Sequence, residues 1–361
     1  MAQTSTENSV PSGMADRPAE LDPMLAVSLP SSPGVGRQIN IKYVATIVIL
    51  VIIVLNVLFL DSFAVVLSQG KSHVSPIGLE AQLANTTLLV DSHGNRLRLA
   101  YMLYATDART VCNAIILASN IRKLGTPASI PIVTLVGNDV PPSVIQRLTD
   151  ANIVAIPIDP WKQERVDQSD EWFRSLTKLR IFEERGYDKV IYLDSDVWVH
   201  RNLDHLFFLG DAVLWAPHAY YIKENYVFGS TLLVFTPSNA VFHEIQDAMA
   251  HPPRPNYFDM DVLNDLYKLH CGFLPNNYVV LTYTLHDNAN WSFASKADRI
   301  HKTYVHHFSP DGTFGKPWNM ARSEVYNRRG SIDSVFYNLY TMYWEHEDCL
   351  CAWLKQDKSD P

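Results

Sequence analysis

With 361 residues, 47% of them hydrophobic, the chain can bury a substantial core in one large α/β domain plus extensions. A net charge of −8 and the lack of any basic run argue against a nucleic-acid surface, which needs clustered Lys and Arg. The four cysteines are scattered in no zinc pattern, and their even number permits disulfides without assigning partners.

Residues 1–42, rich in Ser, Pro, Ala and acidic side chains, read as a cytosolic disordered tail. The run YVATIVILVIIVLNVLFL from Tyr43, continued by DSFAVVL to Leu67, predicts a transmembrane helix over 43–67. As a helix it reaches about 37 Å, enough to cross a bilayer. Core helices seldom stay apolar on every side for so long. The run starts too late for a cleaved signal peptide, so it reads as a signal anchor. Arg37 and Lys42 favour a cytosolic N-terminus, which places the rest of the chain in the secretory lumen as a single-pass type II protein. The triplets Asn85-Thr86-Thr87 and Asn290-Trp291-Ser292 fit that compartment as glycosylation acceptors. Asn85 is the better candidate, because the bulky Trp291 hampers the second triplet.

Residues 68–97 read as a stem, and the folded pattern begins at Arg98. LRLAYMLYAT is a strand ending at Thr106 and Asp107, and Val111 to Leu124 has helical spacing closed by Gly125. SIPIVTLVG is a strand, Pro141 and Pro142 open a helix through Leu148, and NIVAIPI is a strand. Glu171 to Glu184 predicts a helix, closed near Gly186, and KVIYL is the next strand. This β-α-β-α-β-α-β order predicts a doubly wound, mainly parallel sheet with helices on both faces. Ligands of such sheets bind beyond the carboxyl ends of the strands, where Asp107, Asp194 and Asp196 fall. AVLWAP and STLLVF read as strands, Ser238 caps a helix to Ala250, Asp259 to His270 is helical, and TYVHHF is a short strand. Residues 322–361 read as a C-terminal helical extension that covers the domain.

Asp194 and Asp196 sit at i and i+2, so an extended backbone points both to one side. Two carboxylates that close raise one pKa or recruit a cation. Hard divalent ions take carboxylate oxygens, and manganese also accepts imidazole. An isolated D-x-D is more often a solvated strand end; the apolar strand before it and its place on the sheet rim bring the metal reading level with that one. A strand followed by D-x-D also marks haloacid-dehalogenase-type phosphatases, but there the motif opens the domain. Here three βα units precede it, and Trp198 stands where those enzymes carry Thr or Val.

With these residues in view, the chain resembles the family 8, glycogenin-like, retaining glycosyltransferases from about Tyr101 to Trp318. YATD (Tyr104–Asp107), LTKLRIF (Leu176–Phe182), YDKVIYLDSD, FGSTLLVF (Phe228–Phe235) and HFSPDGTFGKPW (His307–Trp318) occur in the family's order. CNAI at Cys112, WAPHAY at Trp215 and YFDMDVLNDLY at Tyr257 are similar to a fungal-type branch of Golgi N-acetylglucosaminyltransferases. The resemblance implies a GT-A (Rossmann-like, mainly parallel) α/β domain, here 98–321, a UDP-sugar donor, Mn2+ and retention at the anomeric carbon. It implies Asp194, Asp196 and His307 as metal ligands, and Lys316 on the donor phosphates, with Ser195 and Gly315 beside these groups. Lys178 would meet the diphosphate or donor sugar, and Thr106 and Asp107 the uracil and ribose. Asp259 would touch the donor sugar or acceptor.

Each role has a plainer rival. Lys178 beside Arg180 can be a helix-face charge, Asp107 and Asp259 can be helix caps, and His301 and His306 read as histidines packed at a strand end. The register of the last strand decides His307: if Val305 faces the core, His307 shares its side and His306 does not.

Departures also bear on function. Arg109 stands where the family often has a base-stacking Tyr, and its planar guanidinium can stack instead. Met260 and Asp261 replace a glycogenin-type Gln-Gly, which disfavours a glycogen primer. Gly229 and Thr231 replace an Asn and a Gly at donor-sugar positions. The expectation is a Golgi type II enzyme transferring a sugar, with N-acetylglucosamine suggested by the fungal-type likeness, to a glycan or glycoconjugate acceptor. The alternative is a non-catalytic lumenal UDP-sugar-binding or scaffold protein of the same fold.

Overall fold

The computed structural model describes residues 95–161, 171–224, 226–285, 293–310 and 314–356. The tail 1–42, the apolar run 43–67, most of the stem 68–97 and both Asn85 and Asn290 lie outside these residues. Among the described residues, no helix is long and apolar enough to cross a membrane.

Ten strands are described: β1 Leu99–Ala105, β2 Ile132–Gly137, β3 Val154–Ile158, β4 Lys189–Leu193, β5 Val197–Val199, β6 Leu214–Pro217, β7 Leu232–Phe235, β8 Cys271–Leu274, β9 Val279–Leu281 and β10 Val305–His307. The helices are α1 Ala108–Lys123, α2 Pro142–Asp150, α3 Asn239–Ala250, α4 Asp259–Tyr267, α5 Lys296–Lys302, α6 Arg322–Asn327, α7 Ser334–Leu350 and α8 Trp353–Gln356, besides 3-10 turns. Seven strands form one sheet in the order β3-β2-β1-β4-β7-β6-β8, and β5-β10-β9 form a second. In the large sheet only β7 runs against its neighbours β4 and β6. The first four strands therefore follow the doubly wound pattern expected from the sequence. The order reverses between β1 and β4, and a crevice at the carboxyl ends of these two strands is where such folds place ligands.

Strands β1, β2 and β4 are buried along nearly their whole length because both faces of the sheet are covered. On one face α1 buries Val111, Ala114, Ile115, Leu117 and Ala118 against Leu103, Ile191 and Leu193. On the other, Leu176, Leu179, Ile181 and Phe182 pack with Met102, Val190 and Tyr192. These last side chains belong to a 3-10 helix, Glu171–Phe182, where an ordinary helix was expected. Leu176, Leu179 and Phe182 repeat every three residues, the period of a 3-10 helix, and all are fully buried. Gly125 takes φ 97° beyond α1, the left-handed stop its type allows. In β8, Gly272 lies opposite Trp215 of β6, and any Cβ there would sit 2.4 Å from the indole.

The C-terminal segment, expected as a covering helix, is built around α7. Phe336, Leu339, Tyr340, Tyr343 and Trp344 of α7 join Cys112, Ile116, Trp198, Val280 and Phe308 in a third core. A disulfide between Cys112 of α1 and Cys351 fastens the end of α7, a pairing that cysteine parity left open. Cys271 and Cys349 are free thiols.

Beyond β5, burial pushes the His200 imidazole down to about 4 from its ordinary 6.5. The unfolded chain thus binds more protons than the native one between these values. The contribution of a neutral His200 is complete above about pH 6.5 and is lost as pH falls towards 4, roughly 3 kcal/mol in all. Thermal melts of His200→Gln should show a flatter pH dependence over that window. A slope equal to the parent's would contradict this assignment.

Candidate active site

The chain leaves the large sheet at Leu193, turns through Asp194, Ser195 and Asp196, and enters β5 of the second sheet. There β5 pairs antiparallel with β10, with Val197 opposite His307. The backbone N–H of Phe308 also donates to the Asp196 carbonyl at 3.0 Å. This pairing sets His307 beside the carboxylates, 111 residues away in the chain from Asp196. The register follows the alternation expected from the sequence. Val305 is in the core, His306 is fully buried with Nε2 3.0 Å from Thr282 Oγ1, and His307 faces the acidic pair. One ligand atom each from Asp194, Asp196 and His307 lies within 4.8 Å of the others. His307 Nε2 is 3.2 Å from Asp196 Oδ2.

Two lysines neutralise the pair from opposite sides. Lys316 donates to Asp196 Oδ2. Lys178, only 4% exposed, lies 3.3 Å from Asp194 Oδ1, 2.6 Å from Asp259 Oδ2 and 3.0 Å from Ser230 Oγ. The Ser230 hydroxyl donates to Asp259 at 2.7 Å, and the Tyr192 hydroxyl donates to Asp194. Burial would raise Asp196, but Lys316 and His307 outweigh it and hold the carboxyl well below the ordinary range. Burial raises Asp194 and Asp196 adds to the rise, with Lys178 opposing. For Lys178, burial is outweighed by Asp194 and Asp259, so its pKa rises and the ammonium stays charged.

These contacts settle several choices the sequence left open. Lys178 is no solvated helix-face charge. Asp259 is the first residue of α4, with Phe258 as its cap, and its carboxylate serves Lys178 and Ser230. Asp107 does cap α1, accepting from the Thr110 N–H at 2.7 Å, while Thr110 Oγ1 accepts from the N–H of Thr106 at 2.9 Å. Thr106 and Asp107 stand at the end of β1, next to β4, on the rim where Asp194 emerges. Arg109 is tied to Glu347 and Tyr343 of α7. Ser195 is buried between the two carboxylates, and Gly315 precedes Lys316 with its carbonyl accepting from Tyr340. His301 is exposed. Ser230 and Tyr192 join the site without having been singled out by any motif. Ser230 was legible as the hydroxyl inside FGSTLLVF, two residues before β7, whose start lies on the same rim.

A groove of about 610 Å³ lined by His218, Tyr226, Phe273, Leu274, Pro275 and Asn276 opens further along. Because β6 and β8 run in the direction of β4, their carboxyl ends and this groove share the rim of Asp194. A larger cavity of about 680 Å³, lined by His200, Lys302 and Leu339 among others, lies beyond the opposite end of β5 and holds none of the triad.

Two carboxylates and an imidazole at this spacing fit a divalent cation that accepts both oxygen and nitrogen. Lysines on either side fit a polyanion brought to that cation. A mainly parallel sheet of this order, with an acidic pair and histidine at its switch point, is a GT-A-like glycosyltransferase fold.

No family model matches the chain. It is 28% identical over 243 residues to glucose N-acetyltransferase 1 of Gibberella zeae, covering 61% of this chain and 53% of the relative. It is 27% identical to glucose N-acetyltransferase 1 of Aspergillus fumigatus, covering 63% and 66%. To galactinol synthase 1 of Solanum lycopersicum it is 26% identical, covering 59% and 72%. The matched part spans about half of the first relative and two thirds of the second. Among solved structures, a galactosyltransferase in complex with donor and acceptor sugar analogues overlays with a TM-score of 0.47 at 18% identity, covering 62% and 91%. These sequence relatives support the resemblance to family 8 glycosyltransferases.

Proposed function

We propose that the chain transfers a sugar from a UDP-sugar donor to a glycan or glycoconjugate acceptor, with retention and with Mn2+ as the metal. The observation that carries this reading is the convergence of Asp194, Asp196 and His307, flanked by Lys316, at the β1/β4 switch point. Asp194, Asp196 and His307 would hold the metal, which supplies positive charge to the donor diphosphate as it departs. Lys316 lies on the Asp196 side and turns its ammonium to the same phosphates, stabilising negative charge as it develops. Lys178 and Asp259, locked by Ser230, form a rigid polar wall for the donor sugar. Thr106 and Asp107 lie at the end of β1 for the nucleoside, with Arg109 the second residue of α1. The aromatic groove of His218, Tyr226 and Phe273 on the shared rim suits the apolar face of an acceptor pyranose. The likeness of CNAI, WAPHAY and YFDMDVLNDLY to a fungal-type N-acetylglucosaminyltransferase branch supports N-acetylglucosamine as the donor sugar. The apolar run 43–67 and its flanking basic residues support a type II anchor in the Golgi membrane, with 98–321 as the lumenal catalytic domain and 322–361 as its helical extension.

Calorimetry with UDP and Mn2+, followed by hydrolysis assays on a panel of UDP-sugars, tests the reading without an acceptor. Metal-dependent UDP binding and slow hydrolysis of one donor are expected. Binding without turnover of any donor would favour a non-catalytic UDP-sugar-binding protein of the same fold.

A further inference from the structure

Lys316 lies outside both sheets, so something must hold its backbone if its ammonium is to meet a diphosphate reproducibly. The residues on either side of it are gripped by one helix. The Tyr340 hydroxyl donates to the Gly315 carbonyl, and Trp344 Nε1 donates to the Pro317 carbonyl at 2.9 Å. Tyr340 and Trp344 are four residues apart, hence on one face of α7, and both rings are buried, at 0% and 2% exposure. Phe314 adds a stacked contact with Phe336 of the same helix, ring centroids 5.1 Å apart.

The helix itself is fastened to α1, the helix that starts at the end of β1. Cys112 is bonded to Cys351, Arg109 to Glu347, and the Tyr343 hydroxyl donates to Asn113 Oδ1 at 2.7 Å. Glu347 also receives Arg322 at 2.8 Å. A continuous set of covalent, ionic and hydrogen bonds thus runs from α1 through α7 to the carbonyls that bracket Lys316. From there the Lys316 side chain returns to Asp196.

We propose that Tyr340 and Trp344 are positioning residues for Lys316. Through the Gly315 and Pro317 carbonyls they fix the backbone from which the ammonium reaches the Asp196 side of the metal triad, and the α1–α7 tie holds α7 in place for that task. This inference rests on the reading that Lys316 meets the donor phosphates. A lysine side chain has many rotamers to lose, so a displaced backbone lowers the fraction of molecules whose ammonium is in place.

The test is a double-mutant cycle on metal-dependent UDP-sugar hydrolysis, using Tyr340→Phe and Trp344→Phe in the parent and in Lys316→Ala. In the parent, each substitution should lower kcat about tenfold, the rate equivalent of one lost hydrogen bond, and move the donor KM less. In the Lys316→Ala background the same substitutions should change kcat by less than about twofold, since no ammonium remains to be placed. A structural role alone would give equal losses in both backgrounds, and that result overturns the proposal, as does a parent-like kcat for both single variants. Tyr340→Phe removes only one oxygen and keeps the ring packing, so it carries the test if Trp344→Phe melts early. A parent protein that neither binds UDP with Mn2+ nor hydrolyses any donor overturns the underlying reading, and this inference with it. That outcome appears in the unmodified protein, whereas additive losses appear only in the variants.

Discussion

Asp196→Ala should lower metal-dependent UDP-sugar turnover on the order of 10³-fold, the scale expected when charge stabilisation of a leaving group is lost. Asp196 is held in its ionised form, because Lys316 and His307 both face it. Its removal takes one ligand from the cation site and leaves His307 and Lys316 without the group that brings them together. Stability should change little, by about 1 kcal/mol or a few degrees of melting temperature. Lys316 is 19% exposed and can turn its ammonium to water. Paired melting and hydrolysis measurements check both halves. Near-parent turnover in a folded Asp196→Ala protein would remove the metal reading.

Lys178→Met should act in the opposite manner, on the fold more than on any single chemical step. Lys178 lies between Asp194 and Asp259, both carboxylates nearly buried. Methionine keeps most of the side-chain volume but leaves two buried negative charges without their cation. Breaking a buried ion pair from one side costs about 3–5 kcal/mol, or roughly 10 °C of melting temperature in a domain of this size. The loss should shrink in acid, where the stranded carboxylates take up protons and no longer need a partner. An unchanged melting temperature at neutral pH would show that Lys178 is dispensable to the fold.

Much of this molecule was readable from local pattern. The alternation of apolar strands with helical spacing placed β1 to β4, and the two-residue period of β10 set His307 apart from His306. The acidic pair and its place at a sheet rim followed from KVIYLDSD alone. What escaped is non-local or too short to carry a period. Strands β5, β9 and β10 have three residues each, so the second sheet, which delivers His307 to Asp196, leaves no periodic trace beyond TYVHHF. The antiparallel sense of β7 depends on how the chain returns across the sheet, which composition does not encode. The Lys178–Asp259–Ser230 cluster joins three distant segments, each of which has a plausible local use. Asp107 illustrates the reverse case, where the local signal of an acidic residue three before a threonine at a helix start was the correct account of its geometry. The pairing of Cys112 with Cys351 spans 239 residues and required the packing of α7 on α1.

The most direct measurement is the anomalous scattering of Mn2+ in crystals of the protein grown with UDP. The account predicts a manganese peak within bonding distance of the Asp194 and Asp196 carboxylates and the His307 imidazole, with the diphosphate on the same ion and Lys316 turned towards it. UDP bound elsewhere, with no manganese at these three side chains, would contradict it.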